Sequence, residues 1–264
     1  MKMIKIRHTD VVGWEHAIRG LRNPLNSWDK SDSYWDYNRH NTDDLEVDYQ
    51  LNEAFYLGVN DQNLMKRLRK AGTDHRKFMR MLVVYCDILA PLYWWKEFDT
   101  YKVGTVANSC STMHKIQAKE FVLEDFSHEH IDLPQSTDVL RDTVNTLNYY
   151  RDLYLNGGEV YTRTKQECIV KPKDKHIWWQ MIQLLPSSYN QKRTVMLNYE
   201  VLANIYKSRK DHKLDEWREF CEWIKTLPYS ELITGEEQKL EYADQQGLNF
   251  ADQPTLRPTL AFGA

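Results

Sequence analysis

The sequence predicts an α+β fold in which a small β-sheet is combined with a helix-rich C-terminal half. Three observations predict it. The short alternating KMIKI near the start and the β-branched apolar run MLVVYCDIL at 81–89 read as strands. From Thr137 onward, segments with the 3.6-residue apolar period dominate. With 264 residues and 42% hydrophobic content, the chain can bury a substantial core, which excludes disorder of the whole.

In chain order, the strand KMIKI precedes helical periodicity from Val12 to Leu21. NSWDKSDSYWDYNRHNTDDLEVD is polar, acidic and aromatic with no clean period, so about 24–50 reads as a surface insertion. Asp61 to Lys70 is a helix, closed by Ala71 and Gly72 in a C-cap role. After the 81–89 strand, Pro91 opens the helix LYWWKEFDTYK from the position where proline is favoured. The helix DVLRDTVNTLNYYRDLYLNGG ends in paired glycines, and EVYTRTKQECIVKPKDKH reads as an exposed connection. Two more helices are expected, from about Ser188 to Ser208 and from Leu214 to Leu227, the second ended by Pro228. We therefore expect a single domain over 1–234 and an extended tail over 235–264, rich in Gln, Asp, Gly and Pro.

Composition narrows the function classes. A net charge of −3 and a pI near 6.3 give no global attraction to long nucleic acid or to an anionic membrane, so an anionic ligand needs a local site. No apolar run approaches the roughly 20 residues that span a bilayer, and MKMIKIRHTD lacks a signal-peptide core; a cytoplasmic protein is expected. Cys86, Cys110, Cys168 and Cys221 form no C-x-x-C pair, which suggests free buried thiols and neither a metal site nor a disulfide framework. The nine Trp and sixteen Tyr cluster in PLYWWKEFDTY and HIWWQMIQLL, as core bulk or an oligomer interface.

One stripe poses a chemical question. At about 100° per residue, Asn198 and Arg209 lie on one line of a helix roughly 16 Å apart, with Leu202 and Ile205 between them and Val201 at the edge. An inward face with polar ends needs partners for those ends. Either a ligand meets them, or Arg209 pairs with a carboxylate on the next helix.

The segment LLPSSYNQKRTVMLNYEVLANIYKSRKDHKLDEWREFCEWI resembles the C-terminal half of flavin-dependent thymidylate synthases. That family places an Asn twelve residues after a Leu-Pro pair, an Asn or His six further on, and an Arg five beyond. Leu185, Pro186, Asn198, Asn204 and Arg209 occupy those places, and Glu216 to Glu219 fall on its E-I-R helix. Upstream, LMKRLRKAGTDHRKFMRMLVVYCDILAPLYWWKEF is similar to the family's helix, G-H-x-x-x-F-E-H, strand and proline, with His75 on the first histidine. The matches run in order over about 60–230.

The family's R-H-R-x-x-S-x-N-x-x-S-x-R motif meets TYKVGTVANSCSTMH. Lys102 fits the last Arg of the triplet and Thr105 the first Ser; with one inserted residue, Asn108 and Ser111 fit the Asn and second Ser. Thr100, Tyr101 and Met113 replace Arg, His and Arg, and Glu200 stands in a slot that is usually Arg.

The resemblance implies methylation of dUMP to dTMP, with FAD as cofactor and methylenetetrahydrofolate and NADPH as co-substrates, in a homo-oligomer that is a tetramer in the family. It implies that Arg209 binds and polarises the uracil ring. It implies further that His75, Lys102, Asn108, Asn198 and Asn204 contact the cofactor, and that Thr105 and Ser111 contact the substrate. The missing guanidiniums point to weakened flavin binding, and to the alternative of a diverged nucleotide-binding homologue that has lost or changed the activity.

Overall fold

The computed structural model describes residues 3–38, 52–161 and 166–236. Its elements in chain order are β1 (Lys5–Val12), α1 (Trp14–Arg22), β2 (Tyr34–Asn38), β3 (Asn52–Tyr56), α2 (Val59–Lys70), β4 (Val83–Pro91), α3 (Leu92–Phe98), β5 (Val106–Ser109), α4 (Pro134–Asn156), β6 (Gly158–Tyr161), β7 (Glu167–Val170), α5 (Lys175–Leu184), β8 (Asn190–Asn198), α6 (Tyr199–Arg209), α7 (Asp215–Lys225) and α8 (Glu231–Thr234). The α+β class and the helix-rich second half are as the sequence predicts. The main sheet has four strands in the order β1-β4-β8-β5, and β2-β3 and β6-β7 form two antiparallel hairpins.

Three expectations are corrected. The helix expected from about Ser188 is a strand up to Asn198 and a helix only from Tyr199. Gln191, Val195 and Leu197 are buried while Lys192 and Thr194 are exposed, an inside-outside alternation that a helix cannot satisfy. The exposed connection after Gly157 is a hairpin, in which Gly158 pairs with Val170 and Tyr161 with Glu167, although its strands remain mostly exposed. Within the insertion, 24–38 holds two short 3-10 turns and β2; residues 39–51 lie outside the described residues, as does the tail from 237. Of the four thiols, Cys86 and Cys221 are buried, but Cys110 and Cys168 are exposed.

The chain divides into two compact units. The first comprises 1–6, 87–100 and 107–194. Its core joins Leu140, Val144 and Leu147 of α4 to Met181 of α5 and to Ile116, Phe121 and Phe126. Asn148 fixes the edge of that core by accepting from the Phe121 N–H and donating to its carbonyl, both at 2.8 Å. Trp94, Trp95 and Phe98 bury the inner face of α3, and the Trp95 indole N–H donates to the Gln191 carbonyl at 2.9 Å.

The second unit comprises 7–86, 101–106 and 195–264. Trp14, Tyr199, Trp217 and Phe220 supply its bulk, and α6 buries Val201, Leu202, Ile205 and Tyr206. Each fully buried Leu or Ile of this kind stabilises by about 1.5–3 kcal/mol. Gly13 starts α1 at φ 97°, where a Cβ would stand 2.1 Å from the Met81 carbonyl oxygen, so this entry admits only glycine. Tyr199, also fully buried, satisfies its hydroxyl by donating to the Pro228 carbonyl at 2.6 Å.

Candidate functional site

Helix α6 is the scaffold of the site. Its first residue follows directly on β8, and Asn198 at the junction is extended, at φ −128° and ψ 168°. The Asn198 carboxamide oxygen accepts from the Val201 N–H at 3.0 Å, so the amide is first of all an N-cap. Its Nδ2 side faces Gly104, where an added Cβ would come within 3.0 Å of that nitrogen and 3.3 Å of Val201. Gly104 is at φ 81°, a conformation that lets the backbone turn against the amide.

The other end of α6 meets the same segment. Arg209 Nε donates to the Tyr101 hydroxyl at 2.9 Å, and Nη1 lies 2.9 Å from His212 Nε2. The guanidinium stands 4.8 Å from the Trp217 ring centre and 5.7 Å from that of Tyr101. A half-buried cation is thereby held at its edge by a phenol and an imidazole and at its face by aromatic rings. The 101–105 segment touches both polar ends of the stripe. In the same segment, the Thr105 hydroxyl is buried without a hydrogen-bond partner.

A second face of α6 carries Glu200 and Asn204, one turn apart. Arg76 Nε lies 3.0 Å from one Glu200 oxygen and 3.2 Å from the other, towards which its N–H points, and Arg76 Nη2 donates to Asn204 at 3.4 Å. Glu200 is buried, and Arg76 is nearly so. Arg69 lies within electrostatic reach: its guanidinium pKa is depressed by burial first and then by the charge of Arg76. Arg69 also donates to the carbonyls of Leu232 and Ile233.

The structure thus sets Asn198 against Gly104 and Arg209 against Tyr101, at two places in the 101–105 segment that also carries Thr105 and the exposed Lys102. Asn204 joins Arg76 on the neighbouring face, and exposed His75 adjoins Arg76 in the chain. Asn108 and Ser111 belong to the first unit, where Asn108 is exposed on β5 and the Ser111 hydroxyl accepts from the N–H groups of Met113 and His114. Sequence reasoning missed Tyr101, His212 and Trp217 as the holders of Arg209. Their signal was only the presence of ring-bearing residues three and eight positions beyond Arg209, and at a motif position where a histidine was expected.

No family model and no curated protein matches the chain in sequence. Solved structures do match in three dimensions. The flavin-dependent thymidylate synthase ThyX of Helicobacter pylori, complexed with FAD and dUMP, aligns at TM-score 0.57 and 15% identity, covering 89% of this chain and 99% of that one. A second ThyX structure from the same organism, with FAD and dUMP, gives 0.56 at 14% identity over 89% and 98%. The UMP/dUMP methylase PolB of Streptomyces cacaoi, bound with 5-Br dUMP, gives 0.54 at 13% over 89% and 96%. No described helix is long and apolar enough to cross a membrane. Over nine-tenths of its length or nearly so, then, this chain has the fold of the flavin-dependent thymidylate synthases.

Proposed function

We propose that the protein is flavin-dependent thymidylate synthase-like and methylates dUMP to dTMP, with FAD as cofactor and methylenetetrahydrofolate and NADPH as co-substrates. The observation that most supports this reading is the 101–105 segment lying against both Asn198 and Arg209, in a chain whose fold is shared by proteins that carry FAD and dUMP. The groups this reading assigns to the ligand are the Thr105 hydroxyl, buried and without a hydrogen-bond partner, and the planar Arg209 guanidinium held by Tyr101, His212 and Trp217.

In this reading Arg209 polarises a uracil carbonyl. A charge-assisted hydrogen bond from a preorganised fork gains strength as negative charge builds on the ring. Thr105 contacts the nucleotide, while His75, Lys102, Asn198 and Asn204 contact the cofactor. Bound flavin would supply the hydride and methylenetetrahydrofolate the one-carbon unit; the protein contributes positioning and charge. Assembly as a homo-oligomer, a tetramer by resemblance, and a cytoplasmic location belong to the same proposal.

One observation favours a second reading, that of a nucleotide-binding homologue with lost or altered activity. Glu200, where the resembled family has an arginine, is buried and paired with Arg76, so the negative charge is part of the fold. A carboxylate there repels a flavin diphosphate, and Arg76 is engaged in neutralising it.

Titration of the purified protein with dUMP and with FAD, followed by tryptophan quenching and by assay of dTMP formation, tests both readings. Turnover, with dUMP affinity falling about ten- to a hundredfold in Arg209→Ala, supports the synthase. Binding of dUMP without flavin-dependent turnover selects the homologue. Failure to bind either ligand rejects both.

A further inference from the structure

Outside the constellation on α6, a cavity of about 290 Å³ opens in the second unit, and none of the sequence-predicted site residues lines it. One wall is a single face of α1. Glu15, Ile18, Arg19 and Arg22 recur at the i, i+3, i+4, i+7 spacing that aligns side chains on a helix. Trp28 and Phe55 supply aromatic surface, Trp28 from the insertion. The cavity is mainly apolar, its charge coming from the exposed Glu15–Arg19 pair, 3.9 Å apart, and from Arg22.

The wall is fixed before any ligand arrives. Arg22, only 4% exposed, donates through Nε to Asp61 at 2.6 Å, through Nη1 to the Ser27 carbonyl and hydroxyl at 3.0 and 3.3 Å, and through Nη2 to the Lys30 carbonyl at 2.8 Å. Asp61 in turn accepts from the hydroxyls of Ser31 and Ser33, at 2.7 and 2.6 Å. Two consequences follow. The Arg22 charge is already balanced by Asp61, so the cavity does not require an anion. A guanidinium has five N–H donors, and those four bonds leave one on Nη2 for an acceptor.

We propose that this cavity binds a neutral, planar, bicyclic heteroaromatic compound that packs on Trp28 and Phe55 and accepts a hydrogen bond from Arg22. The volume is near the lower end of ligand pockets, about 300–1,000 Å³, which suits one ring system and not a dinucleotide. Aromatic walls favour a flat occupant. A buried N–H without an acceptor is costly, so an occupant with a ring nitrogen or carbonyl at its edge is selected over one without. This site is independent of the proposed synthase reading.

Quinoline, which carries a ring-nitrogen acceptor, and indole, which is close in size but offers only a donor, are the probes. Each is titrated into the full-length protein and followed in the 1H–15N spectrum at the Trp28 indole N–H, which donates to Asn23 at 2.8 Å and is assigned by its loss in Trp28→Phe. Quinoline is expected to shift that resonance saturably. Indole is expected to bind about tenfold more weakly, and Trp28→Ala to weaken quinoline by about tenfold, read in the variants at the Trp35 indole N–H, which donates to the cavity-lining Glu15 at 3.3 Å and is assigned by its loss in Trp35→Phe. Trp28 is 53% exposed, so its removal is compatible with folding; Trp28→Leu serves as the second variant and should give the same loss. The absence of a saturable shift, equal affinity for the two probes, or unchanged quinoline binding in both variants would overturn the proposal.

Discussion

Glu200 and Arg76 are separated by 124 residues, yet their side chains meet at 3.0 Å with little water around either. Nothing in the periodicity of α6 announces the pairing. The i, i+4 spacing puts Glu200 and Asn204 on one face of α6 but says nothing of Arg76. The distant partner was invisible because register between α6 and the 72–80 turn is set by tertiary packing. Glu200→Arg would face Arg76 with a like charge, with Arg69 close by, and is expected to destabilise by about 3 kcal/mol or more. The exchanged pair, Arg76→Glu with Glu200→Arg, should regain most of that loss. Urea unfolding of the single and double variants measures it, and equal stability of the two would show that the pair is not coupled.

At the scale of elements, the stripe of Leu202, Ile205 and Arg209 was legible because the helical period sets one line whatever precedes it. The strand before it was not. QKRTVMLN alternates Gln191, Val195 and Leu197 against Lys192 and Thr194, but its apolar residues also fit one flank of a continued helix, and only sheet pairing decides between the two periods. That decision changes the meaning of Asn198. As a residue inside a helix its amide would be surplus; as the N-cap of α6 its oxygen is committed to Val201, and only Nδ2 remains to meet a ligand. Asn198→Ala should cost about 1 kcal/mol of stability through loss of the cap. Asn198→Ser keeps a capping oxygen and removes the amide nitrogen, so thermal stability should be retained. If the amide contacts ligand, dUMP or FAD affinity falls in Asn198→Ser as well. Affinity equal to wild type in that variant would reduce Asn198 to a structural cap.

Across the whole molecule, buried ionisable groups predict how stability follows pH. Asp61 is fully buried, and burial by itself would raise its carboxyl; the hydroxyls of Ser33 and Ser31 and the Arg22 guanidinium outweigh that and hold it below the ordinary value of 3.8. A depressed folded pKa means that the unfolded chain binds the proton first, so Asp61 stabilises above its unfolded value and that contribution fades as pH falls through the lower folded value. On the alkaline side the sign is opposite. Burial first, then Glu222, pushes the Cys221 thiol from 9.0 up to about 12, and burial likewise raises Tyr199 well above 10.0. These groups stay neutral in the fold while the unfolded chain ionises, so stability declines once pH passes their unfolded values. Chemical denaturation as a function of pH should therefore show an alkaline loss starting near pH 9, where Cys221 would ionise if unfolded. Cys221→Ala removes that thiol and leaves the buried tyrosines, at some expense in packing that is independent of pH. Relative to its own neutral-pH stability, the variant should hold steady until the tyrosine range near 10.0 is reached. An onset unchanged from wild type would show that the thiol is not held neutral by its burial.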